Sequence, residues 1–521
     1  MKLRRMFVFC SLLTVFMVVL WADVQDVYSS PHLPVNMRIG LTTDFNQVSS
    51  ASLPARALEF GFERDDVFVA EAMVEASGAF VVVPTSRYYS LLAQGFGTFA
   101  EARAAMEHFS GRVTVAFLAP GNWAVYGGGF SGAQEAQATG GAVLAPAYHR
   151  TALLDGDRVV VVFDSPYINP QFRDAGLARV SLGNRTYHGV VEFGRFGGRG
   201  ITAINVLPVD SYVSSVVAFE MSPSWPLDAL KAQAVAARTY AAHRMMTFHP
   251  NSPFHLCDGH HCQRYLGIID NERELTMHAA LSTSGVLIFY NDEPILATYF
   301  SSSGGATENS ENVWVEALPY LRSVPDFAEH SHREWTRSFS LDDLNSLLNA
   351  NSVNIGRATG VSVQLSPNGR VLGLTIMGSG GSHTLRGERV RTFFSSSPRG
   401  SLYSKNFVIP GSSSTQPGAD VTVLSRHGTS VLNPGDATGI TAYSIMSAPV
   451  SNFFVQDTSS VFQVETGGIT TITSSAANIV ITGRGWGHGV GMSQYGARGM
   501  AEAGFSYREI LQHYFTGVII R

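Results

Sequence analysis

The sequence predicts an α+β protein in which strands dominate and a short helical segment interrupts them. A chain of 521 residues is too long for one hydrophobic core. Hydrophobic residues make up 45% of it, which excludes a disordered chain. Only 15% of residues are charged while glycine reaches 51, a composition typical of exported proteins rich in strands and turns. The formal net charge of −5 offers no basic surface, so no nucleic-acid partner is expected.

The N-terminus is predicted to direct export. Lys2, Arg4 and Arg5 precede an apolar run over residues 6–22, the pattern of a signal peptide or of a single membrane anchor within residues 1–22. No clean small-x-small cleavage site ends this run, so cleavage and retention both stay open. The rest of the chain is expected to lie outside the membrane, either secreted or anchored and facing outward.

Residues 23–75 are predicted to form the first strands of the main domain, because short apolar segments alternate there. Residues 76–140 are predicted to form a small insert. Its expected elements are strands over 80–84, 113–117 and 123–126 and helices over 98–109 and 131–138. The order strand, helix, strand, strand, helix indicates a split βαβ sandwich. An insert with a purely structural role is the alternative.

Residues 141–521 are predicted to form the main domain, in which strands dominate over 285–481. The other expected elements are strands over 158–163 and 187–193, helices over 211–220 and 227–246, a surface loop over 410–418 and an amphipathic helix over 506–515. The helix over 227–246 follows Pro226 and has Asp228 in its first turn. Proline loses no hydrogen bond there, and an acid suits the positive end of the helix dipole.

Glu220 is the candidate for acid catalysis. It ends a predicted helix, where the negative end of the helix dipole disfavours a charged carboxylate. Phe219, Met221 and Trp225 are apolar neighbours, and desolvation is expected to raise the pKa of the carboxyl further. A carboxylic acid that stays protonated near neutral pH can act as a general acid. The alternative is an exposed glutamate at a helix end with no catalytic role.

A second candidate site is the short loop that holds Cys257, Asp258, His260, His261 and Cys262. Thiolate and imidazole together are the ligands that tetrahedral zinc prefers. One competing interpretation is a disulfide between the two cysteines, which an oxidising compartment permits. The other is that both cysteines only fill the core.

The glycine-rich run over 483–496 lacks the Lys-Ser/Thr pair of a phosphate-binding loop. Its Trp486, His488, Gln494 and Tyr495 suit a sugar instead. An aromatic ring can lie against a pyranose face while amide and imidazole groups bind hydroxyl and acetamido groups. The alternative is that the glycines serve only tight turns.

Four polar or aromatic residues are further candidates for substrate contact. Ser302 and Ser303 do not form the Gly-x-Ser-x-Gly motif of a nucleophile elbow, so their hydroxyls are expected to contact sugar rather than attack a carbonyl. Arg238 and Tyr240 lie on the helix that follows Glu220. A solvated or core-facing position is the alternative for Arg238.

Four stretches occur in an order that resembles the stage II sporulation protein D family, which includes the amidase-enhancer proteins. They are 207–240 (LPVDSYVSSVVAFEMSPSWPLDALKAQAVAARTY), 255–263 (HLCDGHHCQ), 297–305 (ATYFSSSGG) with Glu308 and 319–321 (PYL), and 483–497 (GRGWGHGVGMSQYGA) leading into Tyr507 and Ile510. The likeness spans most of residues 140–521 and is weaker over 335–480. Within the insert, 98–106 and 123–138 resemble a glycan-binding sporulation-related repeat domain.

The resemblance implies a lytic transglycosylase acting on peptidoglycan glycan strands that have lost their stem peptides. It implies that Glu220 protonates the oxygen between N-acetylmuramic acid (MurNAc) and N-acetylglucosamine (GlcNAc). The carboxylate then takes a proton from the muramic C6 hydroxyl, which attacks C1 and closes a 1,6-anhydro ring. The alternative that the family implies is a non-catalytic wall-binding protein that enhances an N-acetylmuramoyl-L-alanine amidase. Cell-wall remodelling and sporulation are both implied settings.

The resemblance also implies zinc on Cys257, His261 and Cys262. An upstream histidine supplies the fourth ligand, with His249 preferred and His255 as the other candidate. Four protein ligands close the metal to water, so a structural or cleft-shaping role is expected, and a zinc amidase or protease is not. No organic cofactor is expected. The implied partners are the glycan strand and a cell-wall amidase or other wall hydrolase, in an extracytoplasmic location.

Overall fold

The computed structural model describes residues 33–269, 274–329, 333–366, 369–398, 400–409 and 478–521, together with isolated strands between 413 and 474. The predicted export segment over 6–22 and most of the predicted loop over 410–418 lie outside the described residues. The chain divides into two compact units, which are Met1–Ser224 with Ala237–Val286, and Trp225–Ala236 with Leu287–Arg521. No helix within the described residues is both long enough and apolar enough to cross a membrane.

The first unit contains strands throughout and two long helices near its end. Its elements are β1 (Asn36–Gly40), β2 (Ala51–Leu53), β3 (Ala57–Arg64), β4 (Val67–Glu75), β5 (Phe80–Pro84), β6 (Tyr88–Phe96), α1 (Phe99–Ala105), β7 (Val113–Ala119), β8 (Asn122–Phe130), α2 (Ala133–Gln137), β9 (Ala142–Leu144), β10 (Thr151–Asp155), β11 (Arg158–Phe163), β12 (Gln171–Asp174), β13 (Arg179–Leu182), β14 (Arg185–His188), β15 (Val190–Gly194), β16 (Thr202–Pro208), α3 (Val209–Glu220), α4 (Leu227–Thr247), β17 (Leu256–Cys257) and α5 (Glu274–Leu281). A 3₁₀ turn over Met106–His108 follows α1, and α4 begins in the second unit.

Two sheets organise the first unit. One has the order β17-β1-β16-β15-β12-β3-β4, and the other has the order β2-β5-β10-β11-β7-β8-β6-β9. The predicted elements of the insert are all present in the second of these sheets or on α1 and α2. That sheet extends past residues 76–140 at both ends, because β2 precedes this range and β10 and β11 follow it. A role of the insert in binding glycan stays a prediction.

Aromatic side chains from both sheets share one core. The Phe60 ring on β3 lies 5.5 Å from that of Phe163 on β11 and 6.0 Å from that of Trp123 on β8. Phe99 of α1 packs against Phe60 at 5.4 Å, edge to face. Edge-to-face and tilted pairs at these distances are the arrangement that aromatic rings prefer.

One predicted strand of the first unit is divided. The segment over 187–193 forms β14 and β15, which Gly189 separates with a φ of +73°. A Cβ at this position would lie 2.2 Å from the carbonyl oxygen of Val206. The backbone turns here because only glycine permits both this φ and so close an approach. The helices over 211–220 and 227–246 are confirmed, with one to two more residues at their ends.

The second unit contains several small sheets and four helices within its described residues. Its remaining elements are β18 (Ile288–Tyr290), β19 (Glu293–Pro294), β20 (Tyr299–Phe300), β21 (Trp335–Ser340), α6 (Leu341–Ala350), β22 (Ala358–Leu365), β23 (Val371–Gly378), β24 (Gly381–Arg386), α7 (Arg389–Thr392), β25 (Asn406–Val408), β26 (Ser413–Ser414), β27 (Val421–Ser425), β28 (Gly428–Leu432), β29 (Asn452–Asp457), β30 (Ser460–Glu465), β31 (Thr470–Ser474), β32 (Asn478–Arg484), β33 (Met492–Ser493), α8 (Gln494–Glu502), α9 (Tyr507–Tyr514) and β34 (Ile519–Ile520). Its 3₁₀ turns are Ser310–Asn312 and Phe393–Ser396.

The main core of the second unit lies between α6 and two sheets, with strand orders β24-β23-β22-β31-β26 and β21-β32-β25. The sequence analysis did not predict α6. Its signal is a capping box, in which the Asp343 amide donates to Ser340 Oγ at 3.0 Å and the Ser340 amide donates to the Asp343 carboxylate at 2.8 Å. The last helix, predicted over 506–515, is confirmed as α9.

Candidate functional site

Glu220 is the last residue of α3, and its side chain is half-buried. The Met221 amide donates to the carbonyl of Val217 at 2.9 Å and closes the final turn of the helix. The hydroxyls of Ser222 and Ser224 lie 2.9 Å apart in the turn that leads to α4. The carboxyl therefore stands at the C-terminal end of α3, as predicted.

The surroundings of Glu220 in the first unit are less apolar than predicted. Met221 is buried, but the Phe219 ring is 38% exposed. The guanidinium of Arg264 lies 5.5 Å from the centroid of that ring. Trp225 belongs to the second unit and is described with it below.

Arg238 anchors the start of α3. Its Nη2 donates to Asp210 Oδ1 at 2.7 Å and to the carbonyl of Ala280 at 2.8 Å, and its Nη1 donates to Thr283 Oγ1 at 3.3 Å. Ser284 Oγ donates to the other oxygen of Asp210 at 2.6 Å. The side chain of Arg238 is fully buried, so the predicted substrate contact is corrected to the core-facing alternative.

Three residues of the second candidate site and the upstream His249 come together as a Cys–His cluster, which consists of His249, Cys257, His261 and Cys262. Their ligand atoms all lie within 4.8 Å of one another. His249 Nε2 is 3.1 Å from Cys262 Sγ, and His261 Nδ1 is 3.5 Å from the same sulfur and 3.8 Å from Cys257 Sγ. Tetrahedral zinc with its usual bond lengths separates its ligand atoms by roughly 3.3–3.8 Å. The donor set therefore fits zinc, and these three separations lie close to that range.

Aromatic contacts orient the two histidines of the cluster. His249 follows α4 by two residues and has a φ of +55°, which turns the chain back at the end of the helix. Its ring lies 5.0 Å from that of Phe254. Phe248 stacks on His261 at 4.5 Å and carries the Arg244 guanidinium 4.2 Å from its own centroid. Both imidazoles are thus held in place by neighbouring side chains.

Hydrogen bonds fix the cysteine loop to the rest of the first unit. The Tyr212 hydroxyl on α3 donates to Gln263 Oε1 at 2.6 Å, and Gln263 Nε2 donates to the carbonyl of Ala237 on α4 at 3.4 Å. The carboxylate of Asp258 accepts from the amide of Thr43 at 3.0 Å and from its hydroxyl at 2.8 Å. The loop therefore connects the two helices on either side of Glu220 with the chain that follows β1.

The structure distinguishes the two candidates for the fourth ligand. His255 Nδ1 accepts a hydrogen bond from the Arg38 amide at 3.1 Å, outside the cluster. Burial and the nearby Arg38 lower the pKa of His255 to about 4, so its ring is neutral and can accept this bond. The position in the cluster belongs to His249.

The two cysteines of the cluster are free thiols without a disulfide. A hydrogen bond from Cys262 lowers the pKa of Cys257 to about 4, against the opposing effect of burial. The same pairing raises the pKa of Cys262. The pairing of the two thiols therefore favours the ionised form of Cys257, and thiolate is the form that binds metal.

Tyr240 lies close to this cluster. Its ring is half-buried on α4, 4.9 Å from the Arg244 guanidinium. Burial raises the pKa of Tyr240, and the nearby Cys262 adds to that rise. The phenol is therefore neutral at ordinary pH, and its predicted contact with substrate stays a prediction.

In the second unit, Ser302 and Ser303 bind a buried carboxylate. Ser302 Oγ donates to Glu329 Oε1, and Ser303 Oγ donates to Glu329 Oε2 at 2.7 Å. The amides of Ser303 and Gly304 donate to Oε2 at 2.9 and 3.1 Å. Both serines are at most 1% exposed, so the structure corrects their predicted contact with sugar. Glu329 was not predicted from the sequence. The serines that bind its carboxylate lie more than 20 residues away along the chain, so no local motif marks it.

A second acid is buried beside Glu329. Asp326 Oδ1 accepts a hydrogen bond from the Tyr514 hydroxyl at 2.8 Å. Burial, together with the charge of Glu329, raises the pKa of Asp326 to about 7. Gly496 lies against this acid, because a Cβ there would be 2.1 Å from Asp326 Oδ1. This close approach explains the glycine in the sequence Ser-Gln-Tyr-Gly.

Two of the sugar ligands predicted in the glycine-rich run are used inside the protein. His488 Nε2 donates to the carbonyl of Tyr299, and its Nδ1 accepts from the amide of Val490, both at 3.1 Å. Burial lowers the pKa of His488 to about 3, so the ring is neutral, as these two bonds require. Gln494 begins α8 and is only 6% exposed. Neither residue presents a free polar group in the way that we predicted.

Arg370 lies under the glycine-rich run. Its Nη1 donates to the carbonyls of Ser303 and Ala306 at 2.9 and 3.1 Å, and its Nε lies 3.8 Å from the buried carboxylate of Glu308. A Cβ at Gly489 would lie 2.1 Å from Arg370 Nη2. The weakly matched segment over 335–480 therefore supplies a buried cation that supports the glycine-rich run.

Trp486 and Tyr495 do offer exposed surface. The Trp486 side chain is 43% exposed and stacks on Tyr403 with centroids 4.1 Å apart. Tyr495 is half-buried, with Trp225 at 5.0 Å and the Arg333 guanidinium at 4.4 Å from its ring centroid. Sequence reasoning found Trp486 and Tyr495 from their motif, and it missed Tyr403 and Arg333, which no motif marks.

Comparisons with known proteins find one family model and several related chains. A family model described as Stage II sporulation protein matches residues 197–290, which hold α3, α4 and the Cys–His cluster. The chain is 30% identical over 359 residues to the amidase enhancer of Bacillus subtilis, over 66% of this chain and 45% of that protein. It is 28% identical over 334 residues to the stage II sporulation protein D of Bacillus amyloliquefaciens, over 61% and 75% of the two chains. It is also 29% identical over 343 residues to an uncharacterized protein of Brachyspira hyodysenteriae, over 65% and 73%.

Proposed function

We propose that this chain, a member of the stage II sporulation protein D family through the domain over residues 197–290, is a peptidoglycan lytic transglycosylase. Its substrate would be a glycan strand without stem peptides, and its product a strand with a 1,6-anhydro-MurNAc end. The relatives' names place the family in sporulation and in the enhancement of an amidase, both of which concern the cell wall. We further propose that the protein works in an extracytoplasmic location, as the N-terminal sequence predicts.

The observation that carries the proposal is the position of Glu220. It is a half-buried carboxyl at the C-terminal end of a helix whose body is buried from Tyr212 to Ala218. The carbonyl end of the helix dipole favours the protonated form of such an acid. A protonated carboxyl can donate to the glycosidic oxygen as the bond to C1 breaks. The carboxylate that remains can then accept the proton of the muramic C6 hydroxyl.

One carboxyl is enough for this reaction, because the nucleophile belongs to the substrate. A hydrolase that uses water or an enzyme nucleophile would need a second acid about 5–9.5 Å from the first. The buried core of α3 and the ion pair between Arg238 and Asp210 support the mechanism by holding the body and the start of the helix in place. In this role Arg238 is a positioning residue, since its guanidinium is fully buried against Asp210 and Ala280.

We propose that His249, Cys257, His261 and Cys262 hold zinc. The metal would supply a four-way covalent cross-link with no open coordination position. Such a cross-link would tie the end of α4 to the cysteine loop, which already contacts α3 through Gln263. Zinc would thus stabilise the helix pair that carries Glu220, and a zinc-bound water is not part of the mechanism.

The second candidate is a non-catalytic protein that binds glycan and enhances an amidase. The 30% identity to the amidase enhancer of Bacillus subtilis favours it, although this chain covers only 45% of that protein. The identity of the cleaved ends separates the candidates. Purified protein is incubated with peptide-free glycan strands, and the products are analysed by mass spectrometry. We expect 1,6-anhydro-MurNAc ends; reducing ends would indicate a hydrolase, and uncleaved strands would indicate the enhancer.

A further inference from the structure

The second unit carries a row of alternating arginine and aromatic side chains that we call the arginine–aromatic surface. It consists of Arg498, Trp225, Tyr495, Arg333, Trp486, Tyr403 and Arg337. Each member contacts the next, with ring centroids and guanidinium carbons 4.1–5.8 Å apart. Three separate parts of the chain and a residue just before α4 contribute to it, so folding rather than any single motif creates it.

Two guanidiniums within this surface bond to tyrosine hydroxyls. Arg333 donates to the hydroxyl of Tyr495, and Arg337 donates to the hydroxyl of Tyr403. Neither forms an ion pair with any carboxylate of the described residues. The nearest acid in sequence, Glu334, is engaged with Arg484 at 3.1 Å. The guanidiniums of Arg333 and Arg337 therefore carry positive charges that no acid in the described part of the protein neutralises.

The aromatic members suit a sugar. Trp486 is 43% exposed and lies nearly parallel to Tyr403, at an angle of 14°. A flat and exposed indole can receive the apolar face of a pyranose ring. The guanidinium beside it suits a carboxylate, because its planar fork matches the two oxygens of that group. Together these groups match a sugar ring with a carboxylate attached, and a neutral sugar would leave the arginines unused.

We propose that Arg333 and Arg337 select glycan strands whose muramic acid residues carry a free lactyl carboxylate. This inference rests on the proposed function, since it concerns the same substrate. A stem peptide is joined through that carboxyl as an amide, which removes its charge. The two arginines would therefore give a physical cause for a preference for strands without stem peptides.

Binding affinity tests the inference independently of cleavage. The full chain with Glu220→Gln is titrated with two forms of a GlcNAc–MurNAc tetrasaccharide, one with free lactyl carboxylates and one with the same groups as methyl amides. We expect the acid form to bind about tenfold more tightly, which corresponds to one charge-assisted hydrogen bond. The ratio should fall as salt is added, because the arginines are partly exposed.

Variants then test whether Arg333 and Arg337 cause the ratio between the affinities for the acid form and the amide form. In the double variant Arg333→Gln and Arg337→Gln, the ratio should fall to about one while the amide form binds as before. Each single variant should lower the affinity ratio by about threefold. If the double variant does not fold, the single variants test the inference in its place. Arg357→Gln, at an arginine that is 83% exposed elsewhere in the second unit, should keep the tenfold ratio. Equal binding of the two forms by the parent protein, or an unchanged ratio in the variants, would overturn the inference. Neither outcome concerns whether Glu220 cleaves the strand.

Discussion

The Cys–His cluster and the glycine-rich run over 483–496 are both predicted as sites from their sequence. They differ in how many of the predicted residues the structure places where they could bind a ligand. All four predicted ligands of the cluster come together within 4.8 Å. In the glycine-rich run, both ring nitrogens of His488 bond to protein groups and Gln494 is only 6% exposed, whereas Trp486 is 43% exposed. Soft ligands at short spacing have few structural uses other than a metal or a disulfide, whereas polar residues among glycines are often needed to satisfy the turning backbone.

The largest effect that we predict concerns the cluster. Cys262→Ser should abolish zinc binding, because the sulfur of Cys262 is the atom closest to both histidines. The measurement is the zinc content of the purified protein by elemental mass spectrometry, with about one zinc per chain expected in the parent. The matched control is His260→Gln, which changes an exposed histidine of the same loop and should keep the metal. A cluster without a metal function would give no zinc in the parent or equal zinc in all three proteins.

An intermediate effect concerns Gly489 of the glycine-rich run, compared with Gly504 outside it. Gly489 and Gly504 have nearly equal φ values of +89° and +90°, but a Cβ at Gly489 meets Arg370 Nη2 at 2.1 Å whereas one at Gly504 meets nothing within 4 Å. Gly504→Ala should cost about 1 kcal/mol of stability through its backbone conformation alone. Gly489→Ala should cost about 3 kcal/mol, because overpacking adds to that strain. Urea unfolding measures both, and equal costs would mean that Gly489 serves only the turn.

The smallest effect is a dependence of stability on pH. The pKa of His488 is about 3 in the folded protein, against an ordinary value near 6.5. The unfolded chain therefore binds a proton at this residue as the pH falls below about 6.5, while the folded protein does not. The stability that neutral His488 contributes is complete above that pH and is lost as the pH falls toward 3.

His488→Gln keeps a donor for the carbonyl of Tyr299 and removes the titration. Between pH 6.5 and pH 5.5, its free energy of unfolding should fall by about 1 kcal/mol less than that of the parent. The exposed His108 provides a control, since His108→Gln should leave the slope unchanged. If the free energy of unfolding of His488→Gln depended on pH as steeply as that of the parent, this histidine would be charged or exposed in the folded protein. It would then return as a candidate for sugar binding.

The sequence predicted the fold class and the main helices, because each has a local signature. The helix α4 follows from Pro226 and Asp228, whereas the resemblance to a known family implied the four residues of the cluster, which the structure brings together. Contacts between distant segments have no such signature. The carboxylate of Glu329 against the serines near residue 302, and Arg370 under Gly489, depend on pairings made only when the chain folds.

Burial was the quantity that the sequence predicted least well. Arg238 was expected to contact substrate and is fully buried against Asp210, and the chemistry of a guanidinium is equally suited to both positions. Conversely, Phe219 was expected to desolvate Glu220 and is 38% exposed. Residue type predicts which chemical groups a side chain can bind. Whether those groups belong to the substrate or to the protein depends on how the side chain is packed.

Glu220→Gln tests the central claim most directly. The glutamine keeps the size of the side chain and removes the proton that the glycosidic oxygen requires. We expect the rate at which 1,6-anhydro ends appear, followed by mass spectrometry on peptide-free strands, to fall by at least about a hundredfold, the usual contribution of a general acid. Strand binding by the same variant should stay near the parental value. Anhydro ends formed at the parental rate would contradict the account, since the reaction would then proceed without this acid.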